Sequence, residues 1–140
     1  SNATLREKFH RHLEHRQLNL GHVFAFNSVA AAYSHGTEWL DQMLAYVQGN
    51  IDYVEQFLAA ELPQIGIIRP QASYLVFLDC RKLGLSVKTL NELFVDKAHL
   101  ALNDGAMFGK EGTGFMRLNV ASPRSVIAEA MSRLKAAIVS

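Results

Sequence analysis

The stretch from Thr37 to Leu62 most constrains how this chain can fold. Apolar residues recur through it at steps of three and four, which is the period of one face of an α-helix. Thr37 can cap the start of this helix, and Pro63 marks its end. A long helix with one apolar face has to bury that face against other structure. The residues of the stripe are Leu40, Met43, Leu44, Val47, Ile51, Val54, Leu58 and Leu62.

Shorter elements surround this helix. Two helices precede it, an amphipathic one from Thr4 to about Leu20 with Leu5, Phe9 and Leu13 on one stripe, and an Ala-rich one at Asn27–Tyr33. After it, branched and aromatic runs predict strands, and apolar periodicity behind Ser86 and Ser122-Pro123 predicts two more helices. The predicted strands are 67–69, 74–79, 99–102 and 115–120, and the later helices are 86–97 and one that begins at Ser122-Pro123 and carries its apolar stripe to Ile138.

The order of these elements predicts an α+β fold. Strands and helices seldom alternate along the chain in the way that a parallel sheet requires. We therefore expect a small, mainly antiparallel sheet covered by the long helix and the C-terminal helix, with further helices at the N-terminus. Residues 1–3 resemble the remnant of an expression tag. We divide the rest into an N-terminal helical segment, 4–36, and one domain, 37–140.

Composition excludes several classes of function. The 140 residues carry a net charge of +1 without a basic run, which argues against a nucleic-acid partner. No apolar stretch is long enough for a membrane span, and the start shows no signal-peptide pattern. Cys80 is the single cysteine, which excludes an internal disulfide and suits a reducing compartment. We therefore expect a cytoplasmic protein, with Cys80 as a buried apolar residue.

Arg117 is the most informative single residue. Within the strand 115–120, Met116, Leu118 and Val120 point to one face, so Arg117 shares the other face with Phe115 and Asn119. A planar guanidinium in that position can bind a carboxylate through two parallel hydrogen bonds. The residues alone also permit a local ion pair with an Asp or Glu.

Other candidate motifs are incomplete. The glycine-rich segment 103–114 lacks the Ser or Thr of a phosphate-binding loop and leads into a strand, so a flexible connection explains it as well as a site does. His12 and His15 share a helix face, but His10 points elsewhere, and no HExxH motif is present. We expect no metal site, although a centre at these three histidines stays an alternative.

Several motifs in order resemble one family. The segments are Ala32–Asp41, Tyr46, Gly49-Asn50, Ser73–Arg81, Leu102–Gly109, Gly112–Asn119 and Ser122-Pro123-Arg124. Together they resemble the C-terminal domain of MalY/PatB-type cystathionine β-lyases, which are pyridoxal 5'-phosphate (PLP) enzymes of the aminotransferase class I/II superfamily. The resemblance covers essentially the whole chain after residue 3, and it implies the aminotransferase small-domain fold.

The resemblance also implies roles for individual residues. The arginine of the family's Gly-Phe-x-Arg-Leu-Asn strand binds the substrate's α-carboxylate, which places that role on Arg117. Phe108 and Gly109 would line the substrate pocket, and Asn103 is a further substrate-binding candidate. We expect Asn119 and Arg124 to serve the strand and the helix start.

The cofactor apparatus of the family has no counterpart in these motifs. The Schiff-base lysine and most PLP ligands belong to a large domain upstream, which the segment 4–36 would join to this domain. A parent enzyme would use PLP for C–S bond cleavage or amino transfer, as a homodimer, whereas this chain alone would be inactive and hold no PLP. The alternative is a non-catalytic amino-acid-binding or oligomerisation module.

Overall fold

The computed structural model describes residues 2–18 and 21–139. They form two compact units, Ser1–Gln42 and Met43–Ser140. No helix in the described part of the chain is long and apolar enough to cross a bilayer.

The first unit is helical. It contains α1 (Ala3–His15), α2 (Val23–His35) and the first residues of α3 (Thr37–Glu61). Asn2 caps α1 by accepting a hydrogen bond from the Leu5 backbone N–H at 3.2 Å. Neither α1 nor α2 contains a buried residue. Most of the large apolar side chains of both helices are exposed: Leu5, Phe9, Val23, Phe24, Phe26, Val29 and Tyr33.

The second unit is built on a four-stranded antiparallel sheet with the order β1-β2-β4-β3. Its strands are β1 (Gly66–Ile68), β2 (Leu75–Asp79), β3 (Asn103–Asp104) and β4 (Phe115–Asn119). The central pair, β2 and β4, places Val76 opposite Leu118 and Leu78 opposite Met116. All four of these side chains are buried, so one face of the sheet belongs to the core.

Three helices complete that core. The buried stripe of α3, Leu90 of α4 (Val87–Glu92) with the turn that follows it, and the inner face of α5 (Arg124–Val139) join the strand residues in one hydrophobic cluster. The expected α+β fold, with the long helix and the last helix packed with a small antiparallel sheet, is confirmed. The helical contribution comes from Val47, Ile51, Val54, Leu58, Leu90, Phe94, Ile127, Met131 and Leu134.

A buried asparagine on α3 ties this helix to the end of β4. The Asn50 amide nitrogen donates to the carbonyl oxygens of Val120 at 2.8 Å and Ser122 at 2.9 Å. Its amide oxygen accepts from Arg124 Nε at 2.7 Å. The backbone N–H of Arg124 donates to the Tyr46 hydroxyl at 2.7 Å. Arg124 therefore stabilises the start of α5, as expected for that motif residue.

The boundaries of several elements differ from the sequence expectation. α1 ends at His15 and not near Leu20, and positions 19–20 lie outside the described residues. α2 is longer than predicted at both ends. The helix predicted over 86–97 is α-helical only to Glu92 and continues as a π-helix, Leu93–Lys97.

The strand predicted at 99–102 is wrong. His99 adopts a left-handed conformation with φ 55°, and the Leu100 N–H donates to the Phe94 carbonyl oxygen at 2.7 Å. These residues close the end of the π-helix and reach β4 only from Asn103 onward. Leu100 and Leu102 are half-buried because both pack against the core. The two-residue step between them is also the spacing of one face of a strand, which explains the wrong prediction.

Candidate functional site

Arg117 lies in the middle of β4, on the sheet face that points away from the core. Its neighbours in the same strand, Met116 and Leu118, are buried on the other face. Phe77 of β2 is its partner on one side, and Asn103 of β3 is its partner on the other. Directly opposed residues of an antiparallel pair project to the same side of a sheet. The strand pairing therefore brings an aromatic ring and an amide next to the guanidinium.

Two contacts hold the Arg117 guanidinium in place. Its Nη2 donates to Asn103 Oδ1 at 3.0 Å, and its Cζ lies 4.3 Å from the centre of the Phe108 ring. Nε is buried and has no hydrogen-bond partner among the described residues. In that part of the chain no carboxylate forms an ion pair with Arg117 either, which decides against the local ion pair that the sequence left open. The guanidinium is oriented, but its charge and part of its donor edge remain available to an anionic group.

The glycine-rich segment delivers Phe108 to this position. Asp104 caps a 3₁₀ turn, Gly105–Phe108, by accepting from the Ala106 N–H at 2.9 Å. Gly105 is buried, and a Cβ there would lie 2.3 Å from the Gly112 carbonyl oxygen. Only glycine permits this approach of the two backbone segments.

Gly109 ends the turn. Its φ of 134° lies in a region that L-residues with a side chain rarely adopt. A second 3₁₀ turn, Lys110–Gly112, then leads back toward β4. Two of the segment's glycines, Gly109 and Gly114, have positive φ, so the connection is a pair of defined turns.

The four residues predicted for the site are thus brought together. Arg117 contacts Asn103 and Phe108 directly, and Gly109 follows Phe108 in the chain. Asn103 is placed as a partner of the guanidinium, with its own amide nitrogen 3.7 Å from Met107 Sδ. The geometry gives Asn103 a role in orienting Arg117.

Phe77 is a residue of this site that the sequence did not indicate. Its ring meets that of Phe108 edge to face, with 5.9 Å between centroids and 82° between planes. The alternation in β2 puts Phe77 on the face opposite the buried Val76 and Leu78. That signal becomes useful only once β2 is known to pair with β4, which is distant in sequence.

A second arginine on the same face is already engaged. Arg81 binds both carboxylate oxygens of Asp79, at 2.9 Å and 2.7 Å, and lies 4.7 Å over the Phe115 ring. This hydrogen bonding lowers the pKa of the Asp79 carboxyl below its usual value, against a smaller opposing effect of burial. Arg81 covers Phe115 and is not a second open anion site.

The described residues do not include a lysine suited to hold PLP. A lysine that forms a Schiff base at neutral pH is desolvated or lies beside another cation. Five of the six lysines here are exposed, and Lys135 is half-buried but ion-paired with Glu61. A carboxylate favours the charged amine. The cofactor therefore does not fit this chain's own residues.

The remaining chemical candidates also lack a site. Burial, and to a smaller degree the charge of Asp79, raises the pKa of the Cys80 thiol to about 12. His12 and His15 share a shallow groove with Lys8 and Arg11, whose positive charges oppose a metal cation. Within residues 2–18 and 21–139, no three His, Cys, Asp or Glu side chains are grouped to hold a metal ion.

Comparison with known proteins identifies this architecture. The chain is 37% identical over 133 residues to cystathionine beta-lyase PatB of Bacillus subtilis, a match that covers 95% of the chain and 34% of PatB. It is 34% identical to protein MalY of Escherichia coli, over 83% of the chain and 30% of MalY. No family model matches the chain.

A solved structure agrees with the sequence relatives. Cystalysin from Treponema denticola, which contains a pyridoxal 5'-phosphate cofactor, superposes with a TM-score of 0.87 at 29% identity, over 99% of the chain and 35% of cystalysin. The chain thus spans about a third of the length of the proteins it matches. We conclude that the chain belongs to the PLP-dependent C–S lyase and aminotransferase superfamily, of which it represents the C-terminal domain.

Proposed function

We propose that this chain provides the substrate-carboxylate site of a longer PLP-dependent enzyme that acts on amino acids, either as a C–S lyase or as an aminotransferase. Arg117 binds the α-carboxylate of the substrate in this proposal. Phe108 and Gly109 line the pocket beside it, and Asn103 orients the guanidinium.

The observation that carries the proposal is the state of the Arg117 guanidinium. A buried charged group is normally paired, yet among the described residues this guanidinium has one aromatic ring on its face, one amide oxygen as acceptor, and a buried Nε without a partner. An unpaired buried donor costs about 1–3 kcal/mol. A ligand that reached this edge of the guanidinium would supply the missing acceptor. A carboxylate has the charge and the two oxygens that this donor edge requires.

The cofactor belongs to the rest of the proposed enzyme. PLP would supply an electron sink for chemistry at the α-carbon of an amino acid. This chain's part is to bind and orient the carboxylate end of that substrate. We propose that the 140-residue chain alone is inactive, since none of its described lysines is suited to hold the cofactor.

The exposed apolar residues of α2 support a longer, assembled protein. Phe24 and Phe26 expose 67% and 70% of their surface, and Tyr33 exposes 87%. A helix that is apolar on all sides is normally enclosed by other protein. We propose that a large domain and a second subunit of a homodimer provide that cover, in the cytoplasm, where the single cysteine stays reduced.

Steady-state kinetics of the full-length protein with Arg117→Gln tests the proposal. Losing charge-assisted hydrogen bonds of about 1.5–3 kcal/mol should raise KM for the amino-acid substrate roughly 10- to 100-fold. Arg133→Gln is the matched control because Arg133 is an exposed arginine on α5, paired only with Glu129 among the described residues. It should leave KM unchanged.

The outcome also separates the two classes of function. Cleavage of cystathionine, or transfer of an amino group to a 2-oxo acid, would support the enzyme, and a KM that depends on Arg117 would support its carboxylate role. If Arg117→Gln and Arg133→Gln behave alike, the carboxylate role is wrong. If the full-length protein binds amino acids without turnover, the non-catalytic module replaces the enzyme.

A further inference from the structure

We propose that Phe77 is a positioning residue for Arg117, and that it acts through the ring of Phe108. The inference rests on the proposed role of Arg117 in binding a carboxylate. Phe77 has no contact with the reacting part of a substrate in this account. It fixes the aromatic surface against which the guanidinium lies.

Two contacts constrain the orientation of the Arg117 guanidinium. Asn103 holds Nη2 through one hydrogen bond, and a single hydrogen bond does not fix the orientation of the guanidinium plane. The Phe108 ring, 4.3 Å from Cζ, fixes the plane because a cation prefers the face of an aromatic ring. Two parallel hydrogen bonds to a carboxylate require the plane to be set before the ligand arrives.

Phe108 cannot fix that plane by itself. Half of its surface is exposed, at 50%, and it stands at the end of a short 3₁₀ turn next to Gly109. An exposed ring in such a position has several rotamers open to it. A neighbour that selects one rotamer is therefore needed.

Phe77 is placed to be that neighbour. It is the direct cross-strand partner of Arg117 in the β2–β4 pair, and it is half-buried. Its edge-to-face contact with Phe108, at 5.9 Å and 82°, is the favoured geometry for an aromatic pair. The strand pairing thus fixes the position of Phe77. Phe77 in turn selects the rotamer of Phe108, and the Phe108 ring fixes the plane of the Arg117 guanidinium.

Ile68 provides a matched control on the same row of the sheet. It is the β1 partner of Phe77, it points to the same face, and it is 53% exposed. It lies one strand further from Arg117. A conservative change there disturbs the same surface of the sheet without removing an aromatic contact.

The test is the NMR position of the Arg117 Nε–Hε resonance in the 140-residue chain. Stacking on Phe108 shifts this resonance, and Phe108→Leu defines its position without the ring. We expect Phe77→Leu to move the resonance more than half of the way to the Phe108→Leu position. Phe77→Tyr, which keeps the ring, and Ile68→Val should stay near the wild-type position.

Folding is checked in the same spectra through the amides of the buried Val76 and Leu78. If Phe77→Leu disturbs them, Phe77→Met takes its place, because its longer side chain fills more of the space. An Arg117 resonance that is unchanged in the folded leucine or methionine variant overturns the proposal. So does a further shift when Phe77→Leu is added to Phe108→Leu, since a residue that acts through Phe108 has no effect once that ring is gone.

Kinetics of the full-length protein supply the functional readout. Phe77→Leu should raise KM about three- to ten-fold, the range expected for one aromatic or cation–π contact, with kcat nearly unchanged. A fall in kcat at constant KM contradicts the proposal. If Arg117→Gln raises KM but Phe77→Leu does not, only the positioning role fails; if Arg117→Gln has no effect, the proposed function fails first.

Discussion

Asn50→Ala should be among the most destabilising single changes outside the apolar core. Asn50 is fully buried, at 0% exposure, and its amide serves three partners: the carbonyl oxygens of Val120 and Ser122, and Arg124 Nε. Alanine removes the amide and leaves all three groups without their partner. The connection between α3, the end of β4 and the start of α5 then depends on apolar contacts and on the hydrogen bond from the Arg124 N–H to the Tyr46 hydroxyl.

The expected loss follows from the burial of the three partners. A buried polar group left unpaired costs about 1–3 kcal/mol. The bond to Val120 is buried, and those to Ser122 and Arg124 are partly buried, where water replaces part of the loss. Assigning about 2 kcal/mol to the first and about 1 kcal/mol to each of the others gives a destabilisation of about 4 kcal/mol. That is a large fraction of the roughly 5–15 kcal/mol by which a domain is stable.

Urea unfolding of the 140-residue chain, analysed by linear extrapolation, measures this loss. Gln48→Ala is the control, because Gln48 lies half a turn away on α3, is exposed, and bonds only to Asp52 among the described residues. It should change the free energy of unfolding by less than about 0.5 kcal/mol. Asn50→Asp should be nearly as harmful as alanine, since a carboxylate cannot donate to the two carbonyl oxygens. A loss below about 1 kcal/mol for Asn50→Ala would show that these three hydrogen bonds do not stabilise the fold as expected.

Three further predictions concern other contacts. Burial raises the pKa of the Cys80 thiol to about 12, so a thiol reagent at pH 8 should label it slowly in the native chain and at once in urea; rapid native labelling contradicts this burial. The Asp79 pKa is lowered by Arg81, so the stability that the pair contributes is present above the unfolded pKa and lost as pH falls through the folded one. Arg81→Gln should therefore be destabilising at pH 6, and its penalty should shrink as the pH falls below the unfolded value of about 3.9; a pH-independent difference would count against it. Gly105→Ala forces a Cβ to within 2.3 Å of the Gly112 carbonyl oxygen, so it should lower stability by about 1–3 kcal/mol, and an unchanged melting temperature would show that the turn adapts freely.

The long helix and the strand of Arg117 were predictable because their signals are local. The apolar period of α3 and the alternation in β4 follow directly from the geometry of a helix and a strand. The structure begins α3 at Thr37, one position after the Gly36 carbonyl that accepts from the Leu40 N–H, whereas the sequence placed Thr37 as the cap; it buries Met116 and Leu118 on one face of β4.

The region after α4 was not predictable for the opposite reason. Leu100 and Leu102 have the spacing of a strand, yet they pack against the core from the closing turn of a π-helix. The left-handed His99 and the bond from Leu100 to Phe94 decide this conformation, and neither has a sequence signature. Tertiary packing overrides the local pattern here.

The same contrast between local sequence signals and long-range packing holds for the candidate site. Arg117 was recognisable from its strand, and the resemblance to a family indicated Phe108, Gly109 and Asn103. Phe77 was missed because its place beside Arg117 depends on the pairing of β2 with β4 across nearly forty residues of chain. Register between distant strands is set by the whole sheet and cannot be deduced from either strand alone.

The most direct test of the central claim compares an amino-acid substrate with the matching amine that lacks the α-carboxylate. Inhibition constants of both compounds are measured on the full-length protein and on its Arg117→Gln variant. We expect the wild-type protein to prefer the amino acid roughly 10- to 100-fold and the variant to lose most of this preference. A preference that survives intact in Arg117→Gln would contradict the assignment of the carboxylate to Arg117.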